Sequence, residues 1–275
     1  MSSLTDRSRS GYTADSAVIA IVEELASTLR LAGIADPRRV ATDIIAALLE
    51  VPRSWPVMNR DSVIDADCAT AARRAAQKLC RGAPFAYAVG TAPFRHLTLC
   101  VDERVLIPRP ETEVVVDWAL RLAGGKGGTA VDIGTGSGAI ALSLAMEGGF
   151  ARVVGTDVSS DALDVARANL ARIAPPLKTR VEFRLGSFLA PVVGLGVRLL
   201  VSNPPYIATG ELDSLPANVR GWEPPLALLS GEDGMDATAT IIEGAHRVIA
   251  PGGWLVLEVD SSRAHVAETL VRAQG

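Results

Sequence analysis

A chain of 275 residues with 48% hydrophobic and 21% charged residues is long enough for a sizeable core and too apolar to be disordered. Its formal net charge of -4 argues against broad adhesion to nucleic acid or anionic membranes. Cys68, Cys80 and Cys100 are too few and too far apart for a zinc site or a disulfide framework, so no metal is expected and the thiols fit a cytoplasmic protein.

Met1 to Thr13 carries serines and arginines but no apolar stretch, so a loose terminus is expected there and not a secretory signal. Val18, Ile21, Val22, Leu25 and Leu29 recur at helical spacing and predict a helix from about Ala14 to Ala32, closed by Gly33. Asp36 as cap and Pro37 as first-turn proline open a second helix with Val40, Ile44, Ala47 and Leu48 on one face. A third runs from Asp65 to Cys80 and stops at Gly82. Residues 1–83 are therefore expected to form a small helical domain.

Residues 84–113 read as a connector. Phe94, Leu97, Leu99, Val101, Val105 and Ile107 predict two short strands turning around Asp102-Glu103. Arg109, Pro110 and Glu111 follow as a proline-stiffened flap over a neighbouring site, with Glu111 or Thr112 capping a helix that starts near Val114. A surface ion pair of Arg109 with Glu111 is the plainer reading of those two charges.

Residues 114–275 alternate strand and helix. The strands are Thr129–Ile133, Arg152–Thr156, Arg180–Leu185, Leu199–Ser202 and Trp254–Val259. Helices lie between them at Ala139–Met146, Asp161–Ala171 and Ala237–Ile249, with a last one from Arg263. Such alternation predicts a mostly parallel sheet covered on both faces. Gly134-Thr135-Gly136-Ser137-Gly138 follows the first strand and opens a helix, so its backbone can approach a ligand closely. Asp157 stands about 20 residues beyond, where an acidic residue grips ribose hydroxyls. Asp132, just ahead of the turn, would repel a pyrophosphate and favour the sulfonium and ammonium of S-adenosylmethionine.

The fourth strand runs into Asn203-Pro204-Pro205-Tyr206. Two prolines cannot donate to a ladder, so the chain makes a rigid elbow at the carboxyl end of a strand, where open sheets place ligands. The Asn203 amide, the carbonyls of Asn203 and Pro204 and the Tyr206 ring suit a planar NH2 group. In isolation the four residues also fit an ordinary proline turn. Together with the glycine turn and its acidic partners they point to methyl transfer onto a planar NH2-bearing group.

Three passages resemble the release factor glutamine methyltransferases: Val105 to Glu113 with its Ile-Pro-Arg-Pro-Glu-Thr-Glu, Asp132 to Ala141, and Ser202 to Ile207. With the helical domain the likeness runs from about Ala14 onward. It implies an α/β fold built on a Rossmann-like class I methyltransferase sheet, with S-adenosylmethionine as cofactor. The implied reaction is N5-methylation of the glutamine side chain in the Gly-Gly-Gln loop of a peptide chain release factor, in the cytoplasm. Asn203, Pro204, Pro205 and Tyr206 would handle the acceptor amide. Asp132, Gly134, Thr135, Gly136, Ser137, Gly138, Asp157, Val158, Phe188 and Asn203 would hold the cofactor. Arg109, Pro110 and Glu111 would form the substrate flap, and the helical domain would recognise the protein partner.

A ribosomal-protein glutamine methyltransferase is an alternative, as is a donor-binding module without turnover; the flap sequence favours the release-factor branch. DNA adenine methyltransferases share Asn-Pro-Pro-Tyr, but the basic surface and DNA-reading domain they need are not evident. Ser187 stands near a usual acidic position beside adenine, and Asp260 and Arg263 replace a usual glycine and glutamine. The family's sheet closes with two further strands that this sequence does not present after the last helix. Trp254–Val259 is then expected to be an uncovered edge inviting self-association in a protein otherwise expected to be monomeric.

Overall fold

Short-range signals decide most of the helical unit. The computed structural model describes residues 17–274, so the expectations for Met1 to Thr13 and for a helix start at Ala14 lie outside the described residues. Helix α1 (Val18–Leu31) buries Val18, Ile21, Val22, Leu25 and Leu29, the stripe spaced for one face. Helix α2 (Pro37–Leu48) has its proline at the first position, where the missing N–H costs no bond. Asp36 does not cap it. Its backbone is left-handed (φ 48°), its side chain makes no cap bond, and its carboxylate lies 3.6 Å from Arg39 instead.

A single-turn α3 (Trp55–Met58) precedes α4 (Ala66–Cys80), where Asp65 accepts from the Cys68 N–H at 2.6 Å as a working cap. Ala69, Ala72, Ala75 and Ala76 form the buried stripe of α4. The one-turn α5 (Phe85–Val89) buries Ala88 and Val89 in the same helical core, and the chain divides between Val89 and Gly90. Neither α3 nor α5 was expected, because one turn is too short to display a period.

The second unit opens with a hairpin, β1 (Thr91–Phe94) and β2 (Leu97–Cys100), in which Phe94 faces Leu97. Arg95 and His96 make the turn, not Asp102-Glu103. Arg95 takes a left-handed backbone (φ 51°), and its guanidinium bonds Glu147 at 2.7 and 2.6 Å and Asp117 at 2.8 Å. Distant carboxylates thus fix a turn that no glycine or asparagine announces. Helix α6 (Pro110–Ala123) starts at Pro110, four residues before Val114, with Arg109 at its N-cap position and no side-chain cap bond.

Strands β3 (Thr129–Ile133), β4 (Arg152–Asp157), β5 (Arg180–Leu185), β6 (Val197–Ser202) and β7 (Ile249–Leu257) form a five-stranded sheet of order β5-β4-β3-β6-β7. Every neighbouring pair is parallel. Helices α7 (Ala139–Glu147), α8 (Ser160–Arg172), the short α9 (Ala217–Arg220), α10 (Asp236–Ala245) and α11 (Ala264–Ala273) complete the unit. The strands alternate between two cores. Ala130, Leu199 and Val201 pack with Val116 and Leu144 on one side, while Val131, Ile133 and Leu200 pack with Ile241 and Ala245 on the other.

Helix α10 stops at Ala245, earlier than expected, because Ile249 already pairs with Val197. Trp254 then pairs with Leu199, so Pro251-Gly252-Gly253 is a bulge within β7 and not a turn ahead of it. Gly253 passes so close to the carbonyls of Val197 and Arg198 that a Cβ there would sit 2.9 Å from each. Both sheet edges are single-sided among the described residues. On β5 the edge carries Glu182 among Arg152, Arg180 and Arg184; on β7 Trp254 is exposed.

Candidate active site

Strand order reverses between β3 and β6: chain order runs one way through β3, β4 and β5, then returns to β6 and β7 on the other side. In open α/β sheets the crevice beyond the carboxyl ends at such a reversal receives the ligand. Ile133 and Ser202 are register partners, so the glycine turn after β3 and the Asn203-Pro204-Pro205-Tyr206 elbow after β6 leave the sheet side by side. The Ser202 hydroxyl donates to the Ile133 carbonyl at 2.7 Å and locks that level. A cavity of about 410 Å³ fills the crevice, within the size of ordinary small-molecule sites.

The glycine turn divides its labour. Gly134 (φ 69°) and Gly136 (φ 52°) line the cavity, and a Cβ on either would meet no atom within 4 Å, so their bare backbone leaves the space open. Asp132, Thr135, Ser137 and Gly138 stand behind the turn. Asp132 is 1% exposed; one carboxylate oxygen accepts from Thr135 Oγ1 at 2.6 Å and from Ala141 N at 3.1 Å, and the other is buried without a partner. Burial, aided by the charge of nearby Asp157, pushes its carboxyl up to about 7. The carboxylate expected to face a cation therefore lies beneath the turn, with one oxygen uncommitted. Asn169 pins the turn from outside, its amide donating to the carbonyls of Ser137 at 2.9 Å and Cys100 at 3.0 Å.

Asp157, Val158 and Phe188 all reach the cavity, as their placement after β4 and β5 predicts. Asp157 accepts from Gly136 N and from Ser159 N, both at 2.9 Å, which couples the acidic residue to the glycine turn. Phe188 sits at φ 46°, an uncommon backbone for a bulky residue. Ser187 lines the same wall. An apolar ring, a carboxylate with acceptor sites to spare and an open glycine backbone fit a nucleoside, and the unpaired Asp132 oxygen below fits a cationic ligand.

Asn203 and Pro204 form a shared wall between this cavity and a smaller one of about 170 Å³ that Tyr206 and Arg109 also line. Pro205 lines the larger cavity only. Tyr206 is half-buried, and burial followed by the charge of Glu258 raises its phenol above the ordinary range. Asn203 Nδ2 donates to Thr112 Oγ1 at 3.0 Å. In the flap, Arg109 pairs not with Glu111 but with the buried Glu223 at 2.6 Å, and Pro110 and Glu111 lie exposed in the first turn of α6.

Thr112, Glu223 and Glu258 were not read from the sequence as part of the site. A clue was available: Thr112 lies within the flap motif, Glu223 precedes Pro224-Pro225, and Glu258 directly follows β7 at the ligand-bearing end of the sheet. Asp260 and Arg263 hold the loops after the elbow. Arg263 donates to the Asp233 carbonyl at 2.7 Å and to Glu211 at 2.8 Å, with Asp260 at 3.8 Å. Gly234 (φ 79°) runs so close that a Cβ there would collide with the Tyr206 carbonyl and the Arg263 guanidinium.

Comparison with known proteins agrees with this architecture. Residues 117–217 match the Methyltransferase small domain family and residues 20–90 the PrmC N-terminal domain family. The hMettl16 catalytic domain shares the fold at 16% identity and a TM-score of 0.50, covering 80% of this chain and 77% of its own. The release factor glutamine methyltransferase of Moorella thermoacetica is 47% identical over 70% of this chain and 68% of its own. Those of Xylella fastidiosa Temecula1 and Streptomyces coelicolor are 37% and 38% identical, over 86% and 88% of this chain and 84% of their own. This chain belongs to the release factor glutamine methyltransferase family.

Proposed function

We propose that the protein methylates the side-chain amide nitrogen of the glutamine in the Gly-Gly-Gln loop of a peptide chain release factor, using S-adenosylmethionine. One observation carries the reading: Gly134 and Asn203 emerge at the same level of adjacent strands, so a nucleoside-type site and an amide-type site share one crevice. Bound S-adenosylmethionine supplies a sulfonium methyl whose C–S electron pair returns to sulfur as the amide nitrogen gains the methyl and then gives a proton to solvent. Gly134, Gly136, Asp157, Val158 and Phe188 would hold the donor from the cavity side, with Asp132, Thr135, Ser137 and Gly138 shaping the turn.

Asn203 Oδ1 and the Pro204 carbonyl would accept the acceptor's two N–H bonds. As nitrogen loses conjugation and gains positive character, those bonds strengthen, which is selective stabilisation of the transition state. Pro205 stiffens the elbow, and Tyr206 would fix the amide plane for in-line approach. Arg109, Pro110 and Glu111 would border the entry for the glutamine loop.

The helical unit would recognise the protein substrate, a role supported by the exposed apolar side chains of Val57, Met58 and Val63. The net charge of -4 supports a protein and not a nucleic acid as partner, and three free cysteines support a reducing cytoplasmic setting. Among the described residues no helix is long and apolar enough to cross a membrane. One chain carries both donor and acceptor sides, so a monomer suffices.

The test is mass spectrometry of a Gly-Gly-Gln release factor after incubation with the protein and S-adenosylmethionine. One added methyl on that glutamine is expected. Donor binding with no glutamine methylated would leave a binding module or an enzyme for another protein, such as a ribosomal one. Val57→Ser with Met58→Ser should raise KM for the intact release factor and leave donor affinity alone; an unchanged KM removes that face from substrate recognition.

A further inference from the structure

Asn203 has two chemically opposite ends, and only the oxygen end helps an incoming NH2. Its Nδ2 donates to Thr112 Oγ1 at 3.0 Å, and the Glu258 carboxyl sits beside both Thr112 and Asn203 with one oxygen buried and unpaired. An ionised carboxylate only accepts, so the polarity of this chain is set from the Glu258 end. A Thr112 hydroxyl that donates to this unpaired oxygen receives at its own oxygen from Asn203 Nδ2. The amide cannot turn over without placing its oxygen against Glu258. The backbone holds the carboxylate there: Glu258 N donates to the Ser202 carbonyl at 3.0 Å, one residue before Asn203, and Thr112 is buried in the first turn of α6.

We propose that Thr112 and Glu258 are positioning residues that orient the Asn203 amide, keeping its nitrogen committed and its oxygen free for the acceptor. The inference rests on the glutamine methyl transfer proposed above and extends it to two residues with no part in donor binding. The groups facing Glu258 are Thr112, Asn203, Glu111, Arg109 and Tyr206. Its carboxyl lies above the ordinary range, chiefly through burial, with Glu111 adding to the rise and Thr112, Asn203 and Arg109 opposing it. Protonation would give Glu258 a donor, remove the one-way polarity and let the amide turn.

Turnover of a Gly-Gly-Gln release factor by the full chain tests the idea. Thr112→Val and Glu258→Gln should each lower kcat by on the order of a hundredfold, the cost of misplacing a reacting group, with unchanged Kd for S-adenosylhomocysteine. Thr112→Ser, which keeps the hydroxyl, should restore kcat. The wild-type acid limb of kcat should vanish in Glu258→Gln. Unchanged kcat in both variants overturns the proposal, as does a joint loss of kcat, donor affinity and Tm, which would mark a merely structural pair. A readout free of turnover separates this from the function itself. By NMR the Asn203 Nδ2 protons should exchange slowly in the wild type and quickly in Thr112→Val. Fast exchange in the wild type overturns the orientation; slow exchange in a wild type that methylates no glutamine supports it and overturns only the assigned reaction.

Discussion

Arg109 Nη2 lies 2.6 Å from Glu223 Oε1 across 114 positions of sequence, and the carboxylate is 1% exposed while the arginine is partly open to solvent. The second Glu223 oxygen is buried and unpaired, so the carboxylate depends on that single cation. Breaking a fully buried pair costs ~3 to 5 kcal/mol, and exposure of the arginine reduces this, so Arg109→Ala is expected to cost about 2 kcal/mol. Glu223→Gln, which keeps an acceptor without a buried charge, should cost less. Denaturant melts of both variants decide it; equal losses would mean the carboxylate is not sealed.

Asp157 gives one lone pair of each oxygen to a backbone N–H, at Gly136 and Ser159. A carboxylate has about four acceptor sites, which leaves two for a ribose diol. Asp157→Ala should weaken S-adenosylmethionine and S-adenosylhomocysteine alike, by roughly ten- to a hundredfold for a lost charged acceptor. Calorimetry on both ligands measures this. Unchanged affinity would move the donor away from the glycine turn.

Gly134, Gly136, Asp157 and the Asn203 elbow were legible because each packs its chemistry into a few residues beside a strand end. The five parallel strands were legible from β3 to β7 for the same local reason. The supports were not. Thr112, Glu223 and Glu258 meet the site only through the β3–β6 register and the fold of distant loops, and no periodicity encodes a register. Asp132 was read as facing the ligand because its type and position suit a cation, whereas its side chain is sealed under the turn. The hairpin turn was misplaced because Arg95 draws its left-handed backbone from carboxylates at Glu147 and Asp117.

Arg263 binds two acceptors on two loops that follow the elbow, Asp233 and Glu211, and the latter also accepts from Ala208 N at 3.0 Å. A glutamine has two donors on one nitrogen and no charge, so it cannot serve both at these distances. Arg263→Gln should loosen these loops, raising KM for the release factor while donor Kd stays fixed. A lower Tm, about 2 to 4 °C for each kcal/mol in a protein of this size, should accompany it. An unaltered KM would limit Arg263 to stability.

Asp132 gives stability an unusual pH slope. Its carboxyl moves from an ordinary 3.8 up to about 7 on folding, so below 3.8 both states hold the proton and above about 7 neither does. Between those values the folded chain keeps a proton that the unfolded chain has lost. Folding then takes up a proton, and stability falls as pH rises through the window, by at most ~1.4 kcal/mol per pH unit. Asp132→Asn keeps an oxygen for Thr135 and Ala141 but has no proton to exchange, so this contribution disappears. Thermal melts at pH 5 and pH 8 should show a larger fall for the wild type than for the variant. Saturating S-adenosylmethionine, whose positive charges favour the ionised carboxylate, should narrow the wild-type fall. Equal falls in wild type and variant would mean that Asp132 is already ionised at pH 5, and its buried, unpaired oxygen would then have to be stabilised by a neighbour in solution.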